Sequence, residues 1–327
     1  MRLLPLDLRP GRPVRGLRFA ADGRSLAAVV GRPNDPRRRP VWFDLAAGGT
    51  FEPVPVGPDD RWIGDPAFGP DPRLFAGLSR SVQHSFVRLI DARDERPQTR
   101  QLDAAAWELF AAVGLSADGG TLFVGVVETA REWPDAAYDT GLRFARLDVA
   151  NWLDAGDPDR IDEEVAGGEP AVPTAFADTG AGLLAVGTSA GTAVLRDLIA
   201  GHTLLTVEHL PGANDPPQVD AVLLSPDGRH LVTRAAGSLV VWDALTGREL
   251  ARLDGPRPFA DCAFTPDGRS LLAVGLDTGV SRFDAPRYTL AERLEFGHGA
   301  LHSVAVAPDG LTAAAGTGHG AVLLFDL

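Results

Sequence analysis

Lysine is absent from this 327-residue sequence, so all 31 basic residues are arginines. Every mechanism that needs a lysine amine, as a Schiff base, a general base or a P-loop phosphate ligand, is therefore excluded. Cysteine occurs once, as Cys262, which excludes an internal disulfide framework and a metal site built from several thiolates. A single thiol is consistent with a reducing compartment.

Long apolar runs are also missing. No stretch approaches the roughly 18 apolar residues that a membrane helix needs. The segment from Met1 to Gly16 starts with a few apolar residues, but Pro5, Asp7 and Arg9 interrupt it before it reaches the length of a signal-peptide core. We therefore expect a cytoplasmic protein that does not enter the membrane.

Positive charge is in deficit, because the formal net charge is −13 at pH 7. The electrostatic term that dominates non-specific nucleic-acid binding would on average be repulsive, so nucleic acid is not an expected partner. Hydrophobic residues make up 45% of the chain, beside 37 glycines and 26 prolines. This composition is typical of a folded chain that is rich in turns.

The sequence does contain an internal repeat, and its first landmark is a tight turn between two apolar runs. Asp-Gly after proline combines a preset φ with a residue that tolerates positive φ, which suits a short hairpin. The seven turns are Ala21-Asp22-Gly23, Pro70-Asp71-Pro72, Ala117-Asp118-Gly119, Asp178-Thr179-Gly180, Pro226-Asp227-Gly228, Pro266-Asp267-Gly268 and Pro308-Asp309-Gly310.

The second landmark is an apolar run that closes on an aspartate. It occurs at Phe43-Asp44, Ile90-Asp91, Leu147-Asp148, Arg196-Asp197, Trp242-Asp243, Phe283-Asp284 and Phe325-Asp326. Successive aspartates lie 41 to 57 residues apart. These spacings bracket the roughly 40–45 residues of a four-stranded propeller blade, with insertions.

The two landmarks predict an all-β fold, a single seven-bladed β-propeller of four-stranded antiparallel blades over residues 1–327. Its repeat units are predicted at 16–57, 62–104, 109–167, 172–210, 218–255, 259–297 and 301–327 plus 2–8. The last unit ends after a third strand. We therefore expect Leu3–Leu8 to join the C-terminal blade and close the ring, which removes exposed sheet edges.

The sixth unit shows the expected strand pattern most clearly. Alternation and β-branched content predict its four strands at Asp261–Thr265, Ser270–Gly275, Val280–Phe283 and Thr289–Phe296. The sixth and seventh units align without a gap at an offset of 42 residues. The repeat is therefore present in residue detail as well as in spacing.

Several residues match the WD40-repeat family. The Trp242-Asp243 pair, the Phe-Asp pairs in its place and Gly297-His298 are features of that family, as is Asp277-Thr278-Gly279 ahead of Asp284. The chain therefore resembles a divergent, bacterial WD40-repeat propeller over its whole length. The resemblance implies a non-enzymatic scaffold or adaptor that holds a protein or peptide.

Departures from the family pattern leave a neighbouring family open. The tight-turn aspartate is matched only by Asp277, and the corresponding positions of other units hold His84, Gly141, Ala190, Ala236 and His319. We therefore expect the buried His–Asp network of WD40 blades to be mostly absent. A lactonase-like or quinoprotein-like propeller is the alternative.

Two glycine-rich motifs are compatible with catalysis or phosphate binding. Gly187-Thr188-Ser189-Ala190-Gly191 fits the nucleophile-elbow pattern and Gly316–Gly320 a phosphate cradle, but both sites need a helix after the strand. The repeat places both motifs between a second and a third strand. We therefore interpret Ser189 as a turn residue and expect neither a catalytic residue nor a cofactor.

Three further features have structural interpretations. His298 and His302 do not share a face on strand or loop geometry, so we expect a blade-linking histidine, a loop histidine and no metal site. Cys262 shares its repeat position with apolar residues of other units, which predicts a buried, unreactive thiol. The acidic residues from Asp154 to Glu164 lack EF-hand spacing and are interpreted as a solvated insertion.

Radial repetition places the loops between second and third strands, and the loops that enter first strands, on one side of the disc, which we call the first face. Tryptophan and arginine, the residues most enriched at binding hot spots, collect there. The candidate partner-binding residues are Arg37, Arg38, Arg39, Trp62, Trp107, Trp133 and Tyr138. The candidates at the mouth of the central channel are His84, Asp277 and His319.

Alternatives accompany these assignments. Trp62 and Trp107 also fit positions that pack between blades, just ahead of the first strands. For the whole chain, the alternatives to a scaffold are a propeller enzyme or small-ligand sensor at the channel mouth, and a subunit of a larger bacterial assembly. A monomer is the default expectation.

Trp133 provides the first test, because it lies in an insertion from Glu128 to Thr140 that is longer than a hairpin needs. Replacing Trp133 with alanine should weaken capture of a protein partner without lowering the melting temperature. Affinity capture of tagged protein, with mass spectrometry, measures the first effect and thermal unfolding the second. Unchanged capture would contradict a binding role for this loop.

Overall fold

The chain forms a ring of seven antiparallel β-sheets, each with four strands. A computed structural model describes residues 2–5, 12–32, 39–45, 52–53, 62–80, 85–94, 97–105, 108–128, 142–156, 158–165 and 171–327. The predicted seven-bladed β-propeller is confirmed, and it is nearly all β. Each sheet is one blade. In six of them the strands follow one another in chain order, and in the seventh the N-terminal strand takes the place of the fourth.

The N-terminal strand and the first three blades contain thirteen strands and one short helix. They are β1 (Arg2–Pro5); β2 (Val14–Phe19), β3 (Ser25–Val30), β4 (Arg39–Asp44) and β5 (Glu52–Pro53); β6 (Trp62–Phe68), β7 (Leu74–Arg80), β8 (Ser85–Asp91) and β9 (Gln98–Asp103); β10 (Glu108–Leu115), β11 (Thr121–Glu128), β12 (Leu142–Asp148), α1 (Val149–Ala155) and β13 (Arg160–Val165).

The last four blades contain the remaining fifteen strands. They are β14 (Pro173–Asp178), β15 (Leu183–Thr188), β16 (Thr192–Asp197) and β17 (His202–Glu208); β18 (Ala221–Leu224), β19 (His230–Ala235), β20 (Ser238–Asp243) and β21 (Glu249–Leu253); β22 (Phe259–Phe264), β23 (Ser270–Gly275), β24 (Gly279–Asp284) and β25 (Thr289–Glu295); β26 (Leu301–Val306), β27 (Thr312–Thr317) and β28 (Ala321–Asp326).

The Asp-Gly turns connect first to second strands, as the repeat predicts. In blade 6 the Asp267 carboxylate accepts the backbone N–H of Arg269 at 3.0 Å, and Gly268 between them has φ 70°. Asp227, Gly228 and Arg229 repeat this arrangement in blade 5. An aspartate that bonds its own backbone and a glycine with positive φ make the reversal local, which explains its recurrence along the chain.

The ring closes through the two ends of the described chain. Strand β1 pairs antiparallel with β28, and Arg2 lies opposite Leu324 while Pro5 lies opposite Ala321. The closing strand therefore starts one residue earlier than predicted and is described to Pro5, whereas residues 6–8 lie outside the described residues. Blade 7 is thus built from both ends of the sequence.

Blades 3 and 6 differ in detail from the sequence prediction. The first strand of blade 6 starts at Phe259, two residues early, because a bulge at Ala260 lets pairing with β23 continue beyond Asp261. In blade 3 the acidic stretch is not simply a solvated insertion. It contributes to α1 and to β13, where Glu163 contacts Arg146 and Arg196 at 2.5 and 2.8 Å.

The hydrophobic core lies between neighbouring blades. One buried cluster joins Val14 and Leu26 of blade 1 to Ala314 and Val322 of blade 7, and all four side chains are fully buried. Comparable clusters join blade 2 to blade 3 and blade 6 to blade 7. Each sheet buries both of its faces against neighbouring sheets. The hydrophobic cores therefore lie between blades and not within one blade, so the ring is stable only as a whole.

Hydrogen bonds also join the blades near the central channel, from blade 4 round to blade 1. Each links a side chain of one blade to the backbone of the next blade, either in its first strand or, at Val219, two residues before that strand. The donors and acceptors are Thr174 to the Val219 carbonyl, Arg234 to the Ala260 carbonyl, the Val304 N–H to Asp261 at 3.0 Å, and Ser303 to the Val14 carbonyl at 2.9 Å.

A buried histidine network without an aspartate holds blade 5, so it differs from the His–Asp network that the sequence predicted to be mostly absent. Trp242 Nε1 can only donate, and it lies 3.0 Å from Thr233 Oγ1, so that hydroxyl donates to His209 Nδ1 at 2.8 Å. The other ring nitrogen of His209 then donates to Ser238 Oγ at 2.7 Å. Burial, with a smaller effect of Arg252, lowers the pKa of His209 to about 4, so the ring is neutral.

Replacing Thr233 with valine should lower the free energy of unfolding by about 2–4 kcal/mol, since it leaves the Trp242 N–H and His209 Nδ1 buried without partners. Thr233→Ser keeps the hydroxyl and should lose about 1 kcal/mol for one methyl group. Chemical denaturation of the two variants measures the difference. Equal losses would mean that the network contributes nothing beyond packing.

Candidate functional site

The innermost strands share a bulge at their first-face ends. In β2, Val14 pairs with Val30 and Gly16 with Val29, so Arg15 between them has no partner in the ladder. The equivalent skipped residues of blades 3, 4, 6 and 7 are Ala111, Thr174, Ala260 and His302. A bulge bends the strand and re-aims side chains, so it sets which residues stand at the channel mouth.

Five charged or titratable residues at the first-face ends of the inner two strands form what we call the mouth cluster: Arg15, Asp220, Arg234, Asp261 and His302. Electrostatic effects link them across blades, because Arg234 lowers the pKa of Arg15, Arg15 lowers the pKa of His302, and Asp220 and Asp261 raise the pKa of Arg234. Blades 1, 5, 6 and 7 therefore contribute to one site.

Arg234 connects blades 5 and 6. It belongs to β19, and its Nε donates to Asp220 Oδ1 at 2.7 Å while Nη1 donates to the carbonyl of Ala260. Asp220 directly precedes β18, and its own N–H donates to the Arg234 carbonyl. This arginine is therefore held by a counter-ion and by the bulge of the next blade.

Asp261 connects blades 6 and 7. Its two oxygens accept the backbone N–H groups of Cys262 at 2.9 Å and of Val304 at 3.0 Å. Burial nevertheless raises the pKa of Asp261 to about 6, because desolvation outweighs the opposing effects of Arg234 and the two N–H donors. The mouth therefore contains a carboxyl that titrates close to neutral pH.

Arg15 differs from Arg234 because it has no counter-ion among the described residues. Its Nε is buried and has no hydrogen-bond partner. Burial lowers the pKa of Arg15, and the nearby cations Arg234 and Arg32 lower it further. Arg15 is partly buried, and no described residue neutralises its guanidinium.

His302 and Arg18 complete the description of the channel wall. The sequence analysis placed His302 in a loop, but it lies in β26, because the first strand extends through the bulge. Burial, followed by the charge of Arg15, lowers its pKa. Arg18 of β2 is exposed to solvent, yet desolvation by the surrounding protein lowers its pKa.

Two of the three predicted channel-mouth residues are described. Asp277 Oδ2 lies 3.0 Å from Arg293 Nη2 of the outer strand β25, and Oδ1 accepts the Gly279 N–H at 3.2 Å. His319 packs against Gly299, where an added Cβ would lie 2.8 Å from Nε2. His84 lies outside the described residues. Whether these residues take part in binding stays a prediction.

The predicted partner-binding residues are only partly described. Arg39 is the first residue of β4 and Trp62 the first of β6, so both start strands instead of lying in loops. Arg37, Arg38, Trp107, Trp133 and Tyr138 lie outside the described residues. Their role on the first face stays a prediction.

Sequence reasoning missed most of the mouth cluster. Arg15, Asp220 and His302 stand one position before the equivalent of Gly16, Ala221 and Ser303 in their blades, and the repeat alignment contains that column. The predicted channel-mouth residues, His84, Asp277 and His319, came instead from the hairpins between second and third strands. In other blades this repeat position holds an apolar residue, such as Ala111 or Ala260. A charged residue or a histidine at the same position was the sequence signal that could have predicted the cluster.

Nucleophiles in the described chain are held in structural roles. Burial raises the pKa of the Cys262 thiol to about 12, and Cys262 packs partly buried against the blade 6 core, in line with its predicted inertness. Ser189 lies in the turn between β15 and β16, as predicted, and its Oγ accepts the Val172 N–H at 3.0 Å. Ser238 bonds His209, but that imidazole is fully buried.

The described ranges lack both a cluster of metal ligands and a membrane-spanning helix. No group of three or more His, Cys, Asp and Glu side chains is placed to hold a metal ion. Nor does any helix there have the length and apolar character to span a bilayer.

Asp261 gives a pH-dependent prediction. Its folded-state pKa of about 6 exceeds the usual 3.8, so the stability that it contributes at acid pH is lost as pH rises through this window. Relative to Asp261→Asn, the wild type should lose up to about 3 kcal/mol of unfolding free energy between pH 4 and 7. Denaturation at several pH values measures this, and a constant difference between the two proteins would refute the shifted pKa.

Comparison with known proteins completes this description. No protein-family model and no curated protein matches the chain. The fold is therefore assigned from strand pairing alone, which is compatible with a WD40-like propeller.

Proposed function

We propose that this protein is a non-enzymatic interaction platform that binds a segment of a protein or peptide at the first-face mouth of its channel. The observation that carries the proposal is the buried, unpartnered Nε of Arg15 within a cluster drawn from four blades. A buried donor without a partner among the described residues costs free energy, which a ligand that bonds Arg15 would recover.

The chemistry of the mouth cluster favours binding over turnover. Arg234 and Asp261 are tied to the backbone of neighbouring blades, which fixes them in place. The nearest thiol, Cys262, is protonated at neutral pH. Rigidly held charges beside one free guanidinium suit recognition of a ligand with complementary charge.

The first-face residues from the sequence analysis support the same surface. Arg39 and Trp62 both start strands at the end of a blade where the first face lies. Tryptophan and arginine are the residue types expected at an interaction hot spot. A partner segment bound at the mouth would also extend over this part of the first face.

A steric block tests the platform without changing its charge. Ala111 is the bulged residue of β10 at the mouth, so Ala111→Trp should obstruct the site and abolish capture of a stoichiometric partner. Leu245→Trp is the matched control, because Leu245 is 90% exposed in a turn on the opposite face. Affinity capture with mass spectrometry and quantitative binding of the identified partner measure both variants.

The control should bind like the wild type, and both variants should keep their melting temperature. Full binding by Ala111→Trp would mean that the interface lies away from the channel mouth, which would refute the proposal.

The second candidate function is a small-ligand sensor or enzyme at the same mouth. It is favoured by Asp261, a carboxyl with a pKa of about 6, in the same cluster as His302. Such a pair could exchange a proton with a bound molecule near neutral pH. A small molecule retained by the purified protein, without any protein partner, would favour this function.

A further inference from the structure

The residues of the mouth cluster differ in whether a counter-ion or a hydrogen-bond partner balances their charge. Arg234 is balanced by Asp220, and Asp261 is held by two backbone N–H groups. The lowered pKa of His302 keeps that imidazole neutral at neutral pH. Arg15 alone within the cluster carries a full charge with no partner among the described residues.

A second cation stands next to Arg15. Arg32 follows β3 in the same blade, is exposed, and is close enough to lower the pKa of Arg15. Two guanidinium groups that repel each other are both stabilised when an anion binds between them. The first-face edge of blade 1 is thus prepared for a negative group.

We propose that Arg15, assisted by Arg32, binds a carboxylate of the partner, either an acidic side chain or a chain terminus. The inference rests on the proposed function and names the chemistry that the platform recognises. A planar guanidinium matches a planar carboxylate through two parallel hydrogen bonds.

The neighbouring acids select a carboxylate over a phosphate. Asp220 and Asp261 belong to the same cluster and repel an anion in proportion to its charge. A dianion would also meet twice the attraction of Arg15 and Arg32, but its desolvation cost grows with the square of its charge, which favours the monoanion. The net charge of −13 also repels acidic partners at long range. Recognition therefore depends on short-range contacts with Arg15 and not on electrostatic steering.

The test uses acetate as the probe and the arginine Nε–H resonances of ¹⁵N-labelled protein as the readout. The Arg15 signal is assigned by its loss in Arg15→Gln. Acetate, added at constant ionic strength and neutral pH, should shift this signal saturably. Arg229, whose side chain is 81% exposed on the opposite face, is the internal control and should not saturate.

Two variants and a second anion sharpen the result. Arg32→Gln should weaken acetate binding, and Arg15→Lys, which keeps the charge but loses the planar fork, should weaken it by about tenfold. Inorganic phosphate should bind more weakly than acetate. Thermal unfolding of each variant confirms that the fold is retained.

The inference is overturned if Arg15 responds to acetate no differently from Arg229, or if phosphate binds more tightly than acetate. Either result leaves the platform itself to be judged by Ala111→Trp. Conversely, saturable acetate binding with no effect of Ala111→Trp on partner capture would uphold this anion site while refuting the proposed function.

Discussion

The free inner edge of each blade is the constraint on which this structure depends. A four-stranded sheet leaves the backbone of its first strand without a neighbouring strand, and seven such edges meet around one axis. Between blades 4 and 1 the neighbouring blade satisfies that edge with side chains. The contacts run from Thr174, Arg234, Asp261 and Ser303 to backbone groups in or just before the first strand of the next blade. These bonds place polar residues at the inner edges of the blades, where a protein core would otherwise contain apolar ones.

Structure and recognition therefore share the same positions. Asp261 joins blades 6 and 7 and also sets the charge of the mouth, so its titration affects both. His209 acts in the opposite sense, because its lowered pKa costs stability as pH falls from 6.5 to 4. The slopes of the two groups oppose each other over an overlapping pH range. The ring can therefore tolerate a near-neutral carboxyl at its centre without becoming strongly pH-dependent.

The fold was predictable because its determinants are local. Asp267 and Gly268 form a turn from their own backbone and side chain, and the offset of 42 residues repeats that turn in blade 7. The mouth cluster was not predictable in the same way. Arg15 is skipped in the ladder because β2 bulges, and a bulge follows from how two strands pair, which residue types alone do not specify. The His209 network was missed for a related reason, since it joins two strands, β19 and β20, to the loop that holds His209, without the expected aspartate.

Arg15 and Arg234 show how the structure separates two identical side chains. Both lie at the channel mouth, where neighbouring charges act on each of them. Arg234 lowers the pKa of Arg15, whereas Asp220 and Asp261 raise the pKa of Arg234. Arg234 has a carboxylate and a carbonyl to bind, so its guanidinium is part of the ring. Arg15 has neither among the described residues, and the nearby Ser303 of blade 7 bonds the Val14 carbonyl instead. A partly buried arginine without a counter-ion costs stability, and an anion that binds it recovers that cost. That difference in free energy is what the chain can use for binding.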